Sequence, residues 1–274
     1  MYDLICPVCK GPLTLQDRSY RCENRHCFDR AKEGYVNLLP NSGHGKRHGD
    51  DRLMVKARAE FLGAGHYDRL SREICDIAAA HTPDAPNVLD AGCGEGKYTG
   101  DLYRALFSAG KTPSVLGIDI SKDALVYASR RNKEITFAVA SSSELPVEDR
   151  SCDLLLNIFS PFMEEEFRRV LRPGGLLIRV YPLEDHLWEL KEAVYDVPYK
   201  NDPLEKEFPG YEILEEREVR YSIELHSNAE ITSLFRMTPY YYKTGRKDQE
   251  KLESLETLRT KLEFCIVVYR RSID

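Results

Sequence analysis

Two stretches before residue 87 space their apolar residues as an amphipathic helix does. The first, RLMVKARAEFLGAGHY (52–67), places Leu53, Ala57 and Phe61 on one stripe and ends at a pair of glycines. The second, YDRLSREICDIAAAH (67–81), repeats the spacing at Leu70, Ile74 and Ile77. The pattern therefore predicts two consecutive helices in this part of the chain.

From residue 87 the pattern changes to short apolar strands separated by helices. The predicted strands are NVLDAG, SVLGIDI, ITFAVA, DLLLNIF and GLLIRVY, and GKYTGDLYRALF, SKDALVYASRR and EEEFRRVL are predicted helices between them. Because these strands are apolar on both faces, the alternation predicts an α/β fold with a parallel sheet covered on both sides. Beyond residue 210, YEILEEREVRYSIEL and KLEFCIVVYRR predict two longer strands, with helical stretches at 228–237 and 247–258 between them.

Composition adds few restrictions. The 274 residues are 42% hydrophobic and 31% charged, as in an ordinary soluble domain. No run of about 18 apolar residues occurs, so no membrane span is expected. The opening MYDLICPVCK has no apolar signal region, so we do not expect export. We expect a cytoplasmic protein.

The cysteines are clustered at the front of the chain. Four of the eight lie within the first 27 residues, which favours a metal site over a disulfide framework. Cys6 and Cys9 form a CPVC pair, and Cys22 and His26 complete a C-x2-C…C-x3-H pattern that is typical of structural zinc. Zinc takes four ligands in a closed site, and the adjacent Cys27 is a second candidate for the fourth position.

The charge is distributed unevenly along the chain. Residues 1–60 contain 11 Lys and Arg against 8 Asp and Glu, whereas chain totals of 39 and 45 leave 28 against 37 for the remainder. The net charge is thus +3 in the front and −9 in the rest. A basic front on an acidic body indicates an anionic partner for the front.

A glycine-rich loop follows the first predicted strand in VLDAGCGEG (88–96). Glycines let the backbone turn tightly and approach a ligand, beginning here at Gly92 and Gly94. Asp90 and Glu95 flank the loop, and their charge suits the cationic end of S-adenosylmethionine and repels a dinucleotide pyrophosphate. At the end of the second strand, Asp119 can accept hydrogen bonds from both ribose hydroxyls.

These motifs together carry a family resemblance. VLDAGCGEG…GIDIS…LPVEDRSCDLLLNIFSP…VLRPGGLLI, within about residues 87–180, resembles class I S-adenosylmethionine-dependent methyltransferases. With CPVC…RCENRHCFDRAKEGYVNLLP and ARAEFLGAGHY, the whole chain resembles the 23S rRNA (guanine-N1)-methyltransferase family, RlmA. The resemblance implies a seven-stranded Rossmann-like sheet with a small N-terminal zinc-binding module. It also implies S-adenosylmethionine and Zn²⁺ as cofactors, a guanine in a 23S rRNA hairpin as target, and a homodimer. Some members of the family confer macrolide resistance.

The resemblance also implies roles for individual residues. It places Tyr67, Gly94 with Glu95, and His186 against the cofactor, and it selects His26 over Cys27 as the fourth zinc ligand. From the residues alone, Tyr67 would be a core aromatic and His186 a residue on a surface helix. The expected organisation is a zinc-binding RNA-recognition module at 1–40, a basic linker and helix at 41–66, and the methyltransferase domain at 67–274.

The target base is expected to meet NIFSPF, which follows the fourth strand. There Asn157 or Ser160 could orient the base and Phe159 or Phe162 could stack on it. This stretch offers no carboxylate to accept the N1 proton, and the catalytic base is not identified by the sequence. The adenine contact is also open, because ASSSELP (140–146) has serines where many relatives of this fold place an acidic residue.

Two other functions fit parts of the pattern. A small-molecule methyltransferase would share the glycine loop, and a zinc-bearing adaptor for RNA or protein would share the front. The basic front favours RNA as the substrate, because its cations can contact phosphates while the sheet holds the cofactor. These cations are Arg21, Arg25, Arg30, Lys32, Lys46, Arg47 and Arg52.

Overall fold

The front of the chain forms a small antiparallel sheet of its own. The computed structural model describes residues 2–39 and 49–273 of the protein. The four strands of this sheet, in spatial as in chain order, are β1 (Leu4–Ile5), β2 (Pro12–Gln16), β3 (Ser19–Arg21) and β4 (Cys27–Asp29). A fifth strand, β5 (Val36–Asn37), leaves this unit and joins the main sheet of the body.

The body begins with the two predicted helices, α1 (Arg52–Gly63) and α2 (Asp68–His81). Strands and helices then alternate as β6 (Asn87–Ala91), α3 (Lys97–Ser108), β7 (Ser114–Asp119), α4 (Lys122–Arg131), β8 (Thr136–Val139), β9 (Cys152–Ile158), α5 (Glu164–Val170) and β10 (Leu171–Pro182). Among these strands the neighbouring pairs are all parallel. The predicted α/β class and its covered parallel sheet are confirmed.

The C-terminal part completes the sheet with two long antiparallel strands. Its elements are α6 (Trp188–Val194), β11 (Tyr211–Leu225), α7 (Asn228–Arg236), α8 (Tyr240–Lys243), α9 (Arg246–Gln249), a 3₁₀ turn (Glu250–Ser254) and β12 (Leu258–Arg271). The order across the sheet is β11-β12-β10-β9-β6-β7-β8-β5. Seven of these strands belong to the body, as predicted, and the eighth is contributed by the front. The helix predicted at 247–258 is instead a short helix and a 3₁₀ turn, and residue 258 already begins β12.

One detail of the first helix was predicted wrongly. Leu53 is 60% exposed, although its spacing placed it on the buried stripe. The buried stripe runs through Met54, Ala57 and Phe61, which are spaced i, i+3, i+7. The helix begins at Arg52, where Asp51 Oδ1 accepts hydrogen bonds from the backbone N–H groups of the next turn, so Leu53 lies in the first turn outside the packed face.

The front unit is bound to the body through backbone and side-chain contacts. β5 pairs in parallel with β8, and the Leu38 N–H donates to the Val139 carbonyl at 2.9 Å. On the opposite side of the unit, the Ile5 N–H donates to the Pro146 carbonyl at 2.9 Å. Tyr2, Leu4 and other apolar residues of the front are buried in one hydrophobic cluster with β6, β9 and β10. The front therefore covers part of one face of the main sheet, together with α5.

The other face of the sheet is covered by helices. α1, α2 and α3 contribute Phe61, Leu70, Ile74 and Leu102 to a second buried cluster, which extends to α6 and α7. Among the described residues no helix is both long and apolar enough to cross a membrane. The domain boundary predicted at residue 40 lies next to residues outside the described part of the chain and stays a prediction.

Candidate functional site

Four side chains of the front unit converge on one point. The ligand atoms of Cys6, Cys9, Cys22 and His26 all lie within 4.8 Å of one another. His26 Nδ1 is 3.5 Å from Cys6 Sγ and 3.3 Å from Cys22 Sγ, and the sulfurs of Cys9 and Cys22 are 3.6 Å apart. With Zn–S bonds of about 2.3 Å, the ligand atoms of a tetrahedral site are separated by distances of this order. The four residues thus fit a structural zinc ion.

Two tight turns produce this arrangement. Lys10, in the first turn, has φ 61° and donates its N–H to the Cys6 carbonyl at 2.9 Å. Arg25, in the second, has φ 65° and donates to the Cys22 carbonyl at 3.0 Å. Cys27 is exposed and pairs with Arg21 in the β3–β4 ladder, outside the cluster. This placement supports the expected choice of His26.

The glycine loop lies at the carboxyl end of β6 and has little room for side chains. Gly92, Gly94 and Gly96 have φ values of 98°, 54° and 80°. A Cβ on Gly92 would lie 2.5 Å from Ser160 Cβ, and one on Gly96 would lie 2.8 Å from Ala128 Cβ. At Gly94 the nearest such atom is Arg58 Nη1 at 3.7 Å, so this glycine has open space in front of it. The loop therefore has its open side at Gly94, where a ligand could approach the backbone.

Two buried acidic side chains, Asp119 and Glu95, lie next to Gly94. Asp119 Oδ2 accepts from the Gly94 N–H at 2.9 Å and its Oδ1 accepts from the Ser121 N–H at 2.8 Å. Glu95 is buried and pairs with Arg131 at 3.2 Å. Burial raises the pKa values of both carboxyl groups above their usual range. Asp119 thus orients the glycine loop by itself, and its contact with a ribose stays a prediction.

Asp90 is the carboxyl group with a spare oxygen. Its Oδ2 accepts from Thr99 Oγ1 at 2.6 Å, while its buried Oδ1 has no partner. Burial, with a smaller contribution from Asp119 and Glu95, raises the Asp90 pKa to about 7. A buried carboxylate without a counter-charge is costly, so this group fits the ammonium or sulfonium end of a cationic ligand.

An aromatic cluster joins the remaining predicted residues to the loop. Phe264 is the centre of this cluster, with its ring centroid 5.1 Å from that of Tyr67, 4.6 Å from His186 and 5.6 Å from Phe159. Phe159 in turn lies 6.5 Å from Tyr98, in the first turn of α3 after the glycines. The structure thus brings together Tyr67 and His186, which are far apart in the sequence.

The chemistry of His186 is limited by its surroundings. It is 6% exposed, and its Nδ1 accepts from the Glu263 N–H at 3.1 Å. Burial lowers its pKa to about 3, so the ring is neutral near pH 7. His186 is therefore a buried, neutral ring that packs against Tyr67 and Phe264. It does not lie on a surface helix, which is the position that the residues alone suggested.

The two polar residues expected at the target base bond to their own loop. Asn157 Nδ2 donates to Ser160 Oγ at 2.6 Å and to the Pro161 carbonyl at 3.2 Å. Ser160 Oγ donates to the Ala91 carbonyl at 2.6 Å, next to the glycine loop. These bonds join the loop after β9 to the loop after β6. In this structure Asn157 and Ser160 fix the shape of the site, and direct contact with a base stays a prediction.

Arg179 is a residue of this site that the sequence did not single out. Its Nε donates to Asn157 Oδ1 at 3.1 Å, which fixes the orientation of the Asn157 amide. The guanidinium lies 3.8 Å from the ring centre of Phe162 and 5.1 Å from that of Phe208. Arg179 on β10 lies directly opposite Asn157 on β9. This pairing follows from the register of the two strands, which the sequence pattern does not give.

The two aromatic candidates of NIFSPF occupy different environments. Phe162 is half-buried beneath Arg179 and against Phe208. Phe159 is 45% exposed and has φ 52°, a backbone conformation that is unfavourable for an aromatic residue. Strain of this kind persists where the surroundings impose it, often at functional sites. Phe159 is thus the more exposed of the two rings, and its contact with a target base stays a prediction.

Comparisons with known proteins give the same two-part organisation. A family model described as "RlmA, N-terminal" matches residues 4–46, and one described as "Methyltransferase domain" matches residues 88–175. The 23S rRNA (guanine(748)-N(1))-methyltransferase of Streptomyces fradiae is 41% identical over 196 residues, covering 70% of this chain and 67% of its own. A Micromonospora griseorubida protein, provisionally named a 23S rRNA (guanine-N(1)-)-methyltransferase, is 39% identical over 70% of this chain and 69% of its own.

A solved structure supports the fold. The [4+2]-cyclase SpnF is 16% identical and superposes with a TM-score of 0.52, covering 81% of this chain and 94% of the cyclase. At this level of identity the likeness concerns the architecture alone.

The metal centre generates a first prediction. We expect one zinc ion per chain. His26→Ala should lose the metal and lower the melting temperature of the front unit, because three ligands do not close a tetrahedral site. Metal analysis by plasma mass spectrometry and thermal unfolding would check this. Cys27→Ser is the matched control and should keep the full zinc content; loss of zinc from Cys27→Ser, with retention in His26→Ala, would contradict the ligand set.

The open side of the glycine loop generates a second prediction. Gly94→Asp should weaken S-adenosylmethionine binding by at least about 100-fold, roughly 3 kcal/mol, because a side chain and a negative charge would enter the cofactor's approach. Calorimetric titration would measure this affinity. Gly110 also has a positive φ, and a Cβ added there would have no atom within 4 Å, so Gly110→Asp is a control for backbone strain. Equal affinities for the two variants would contradict the site.

The raised pKa of Asp90 generates a third prediction. Its folded-state pKa, about 7, exceeds its ordinary value of 3.8, so the protonated form stabilises the free protein at low pH. That contribution is lost as pH rises through about 7. Asp90→Asn should therefore gain about 2–3 kcal/mol of unfolding free energy relative to the wild type between pH 5 and pH 8. Denaturant unfolding at the two pH values would measure the gain, and a difference independent of pH would contradict it.

Proposed function

Because this chain belongs to the 23S rRNA (guanine-N(1)-)-methyltransferase family, we propose that it transfers a methyl group from S-adenosylmethionine to N1 of a guanine in a 23S rRNA hairpin. The observation that carries the proposal is the junction of the two halves. Four side chains that fit a zinc ion and an acidic glycine loop belong to one packed unit, because β5 of the front extends the sheet that carries the loop.

The donor is held by the glycine loop and its acidic residues. S-adenosylmethionine supplies an electrophilic methyl group on a sulfonium. Asp90, with its free oxygen, would balance the positive end of the cofactor, while Asp119 keeps Gly94 in the open conformation. Tyr67 and His186 would form the apolar wall beside it and exclude water, since both are buried. Glu95 would support the loop through Arg131.

The acceptor is positioned by the loop after β9. In-line methyl transfer depends on placing the nitrogen against the methyl group, so a rigid loop contributes directly to the rate. Arg179 orients Asn157, Asn157 holds Ser160, and Ser160 bonds to the strand that precedes the glycine loop. Phe159, exposed at the end of this chain of contacts, would stack on the guanine.

The front unit would supply contact with RNA through its zinc-stabilised turns. Arg21, Arg25 and Lys32 are exposed on it and Arg30 is half-buried, whereas Lys46 and Arg47 lie outside the described residues. A guanine inside a structured loop must be extracted to reach the methyl group, so contacts with the surrounding backbone offset part of that cost. We further propose a cytoplasmic homodimer, and an effect of the modification on macrolide sensitivity.

Two alternative functions predict different experimental results. A small-molecule methyltransferase would use the same loop, and an adaptor would bind RNA and cofactor without transfer. The exposed, strained Phe159 and the metal-bearing front favour the RNA substrate over both.

The reaction itself is tested by the fourth prediction. N1 methylation blocks Watson–Crick pairing, so reverse transcription of treated 23S rRNA should stop beside one guanine in a hairpin. Phe159→Ala should lower the rate of methylation by about 10- to 100-fold, because the stacking contribution to target positioning is of the order of 1–3 kcal/mol. S-adenosylmethionine affinity, measured by calorimetry, should fall much less.

The controls separate the alternatives. Phe107, on α3, is also an exposed aromatic at 64%, and Phe107→Ala should leave the stop unchanged. Methylation of a metabolite without any stop on rRNA would establish the small-molecule function. Binding of the hairpin and cofactor without transfer by the wild type would establish the adaptor.

A further inference from the structure

A groove lies where the front unit meets the C-terminal end of α4. We call it the seam groove; its volume is about 280 Å³. The front contributes its turn between β2 and β3 and the segment before β5, and the body contributes the residues that close α4. Its charged lining consists of Asp17, Arg18, Arg30, Lys32, Glu33 and Lys133.

The cations of the seam groove are poorly neutralised. Arg18, Lys32 and Lys133 are exposed, and within residues 2–39 and 49–273 none of them forms an ion pair with a carboxylate. Lys133 Nζ instead donates to the backbone carbonyl of Glu33 at 3.2 Å. Arg30 Nε donates to the Gly34 carbonyl at 2.7 Å, which holds its guanidinium in place. The groove thus concentrates positive charge and keeps one of its cations oriented.

The acidic residues of the lining do not balance this charge. The carboxylate of Glu33 pairs with Arg130, outside the lining, at 3.3 Å. Asp17 is the remaining carboxylate against four cations. Like charges gathered at one place repel each other, and here they gather on a chain whose net charge is −6. An anion in the groove would relieve that repulsion.

The floor of the groove is joined to the cofactor loop. Asn132, part of the lining, donates its Nδ2 to the Gly96 carbonyl at 3.2 Å. Its neighbour Arg131 forms the ion pair with Glu95. A ligand in the groove would therefore lie one side chain away from the loop that holds the methyl donor.

We propose that the seam groove binds consecutive phosphates of the RNA substrate, so that the front unit and the body contact the same backbone segment. The inference rests on the proposed function and adds Arg18 and the body residue Lys133 to the RNA-binding surface. The lining contains no aromatic ring on which a base could stack, as far as the described residues extend, which favours backbone phosphates over a free nucleotide.

The test compares two triple variants that each remove three positive charges. The groove variant is Arg18→Ala, Lys32→Ala and Lys133→Ala. The control is Arg72→Ala, Arg259→Ala and Arg270→Ala, three exposed arginines on α2 and β12. The probe is a synthetic hairpin transcript of 23S rRNA, titrated over a range of salt concentrations, with zinc content and melting temperature confirming that each variant is folded.

The groove variant should show a lower dependence of log Kd on log salt, by up to about 2, because each single-strand phosphate contact contributes roughly 0.7 to that slope. Its KM for the hairpin should rise by about 10-fold or more at moderate salt, while kcat at saturating RNA and the affinity for S-adenosylmethionine stay close to wild type. The control variant should change the slope much less.

Specific outcomes would overturn the inference. An unchanged salt slope in the groove variant, or an equal change in the control, would show that the groove does not contact phosphates. Competition by guanosine monophosphate that the groove variant loses, with hairpin binding unaffected, would assign the groove to a free nucleotide instead. Failure of the proposed function is a separate result, because it appears as wild-type protein that binds the hairpin and leaves no stop on rRNA.

Discussion

The site depends on buried carboxyl groups whose lost contacts with water are only partly replaced by hydrogen bonds and counter-charges. Asp90 is 1% exposed and has a free oxygen, and the acids nearest to it, Asp119 and Glu95, have raised pKa values as well. The backbone around them must supply hydrogen bonds that side chains do not. Gly94 donates to Asp119, and glycines at this loop permit the positive φ values that this requires. Under the proposed function, the positive end of S-adenosylmethionine would supply the counter-charge that Asp90 lacks in the free protein.

The glycine loop also determines how the loop after β9 packs. The lack of a Cβ at Gly92 makes room for Ser160, and the hydroxyl of Ser160 bonds to Ala91. Behind Ser160, the amide of Asn157 is oriented by Arg179 from the neighbouring strand. The loops after β6 and β9 are thus cross-linked by side chains whose polar groups satisfy one another. Within this cross-linked region Phe159 stays 45% exposed.

The front unit is too small to be stable by its own core, and it depends on a metal site and on packing against the body. A unit of about 40 residues buries too little apolar surface to be stable alone, and small domains of this kind usually depend on metals or disulfides. Here a four-ligand cluster fixes its turns, while β5 and the residues around Tyr2 and Leu4 pack on the body. That packing also creates the seam groove, since its cations come from both sides of the junction.

The sequence by itself determined the elements and the chemistry of each half. Strands buried on both faces, the spacing of CPVC and Cys22 with His26, and the acids beside the glycines are local patterns with local causes. The tertiary structure alone decided that β5 extends the main sheet, that Arg179 orients Asn157, and that Phe159 is exposed while Phe162 is covered. It also decided that Leu53 faces solvent and that Lys133 meets the front unit. These outcomes depend on strand register and on surfaces brought together from distant parts of the chain, and neither is encoded in the spacing of nearby residues.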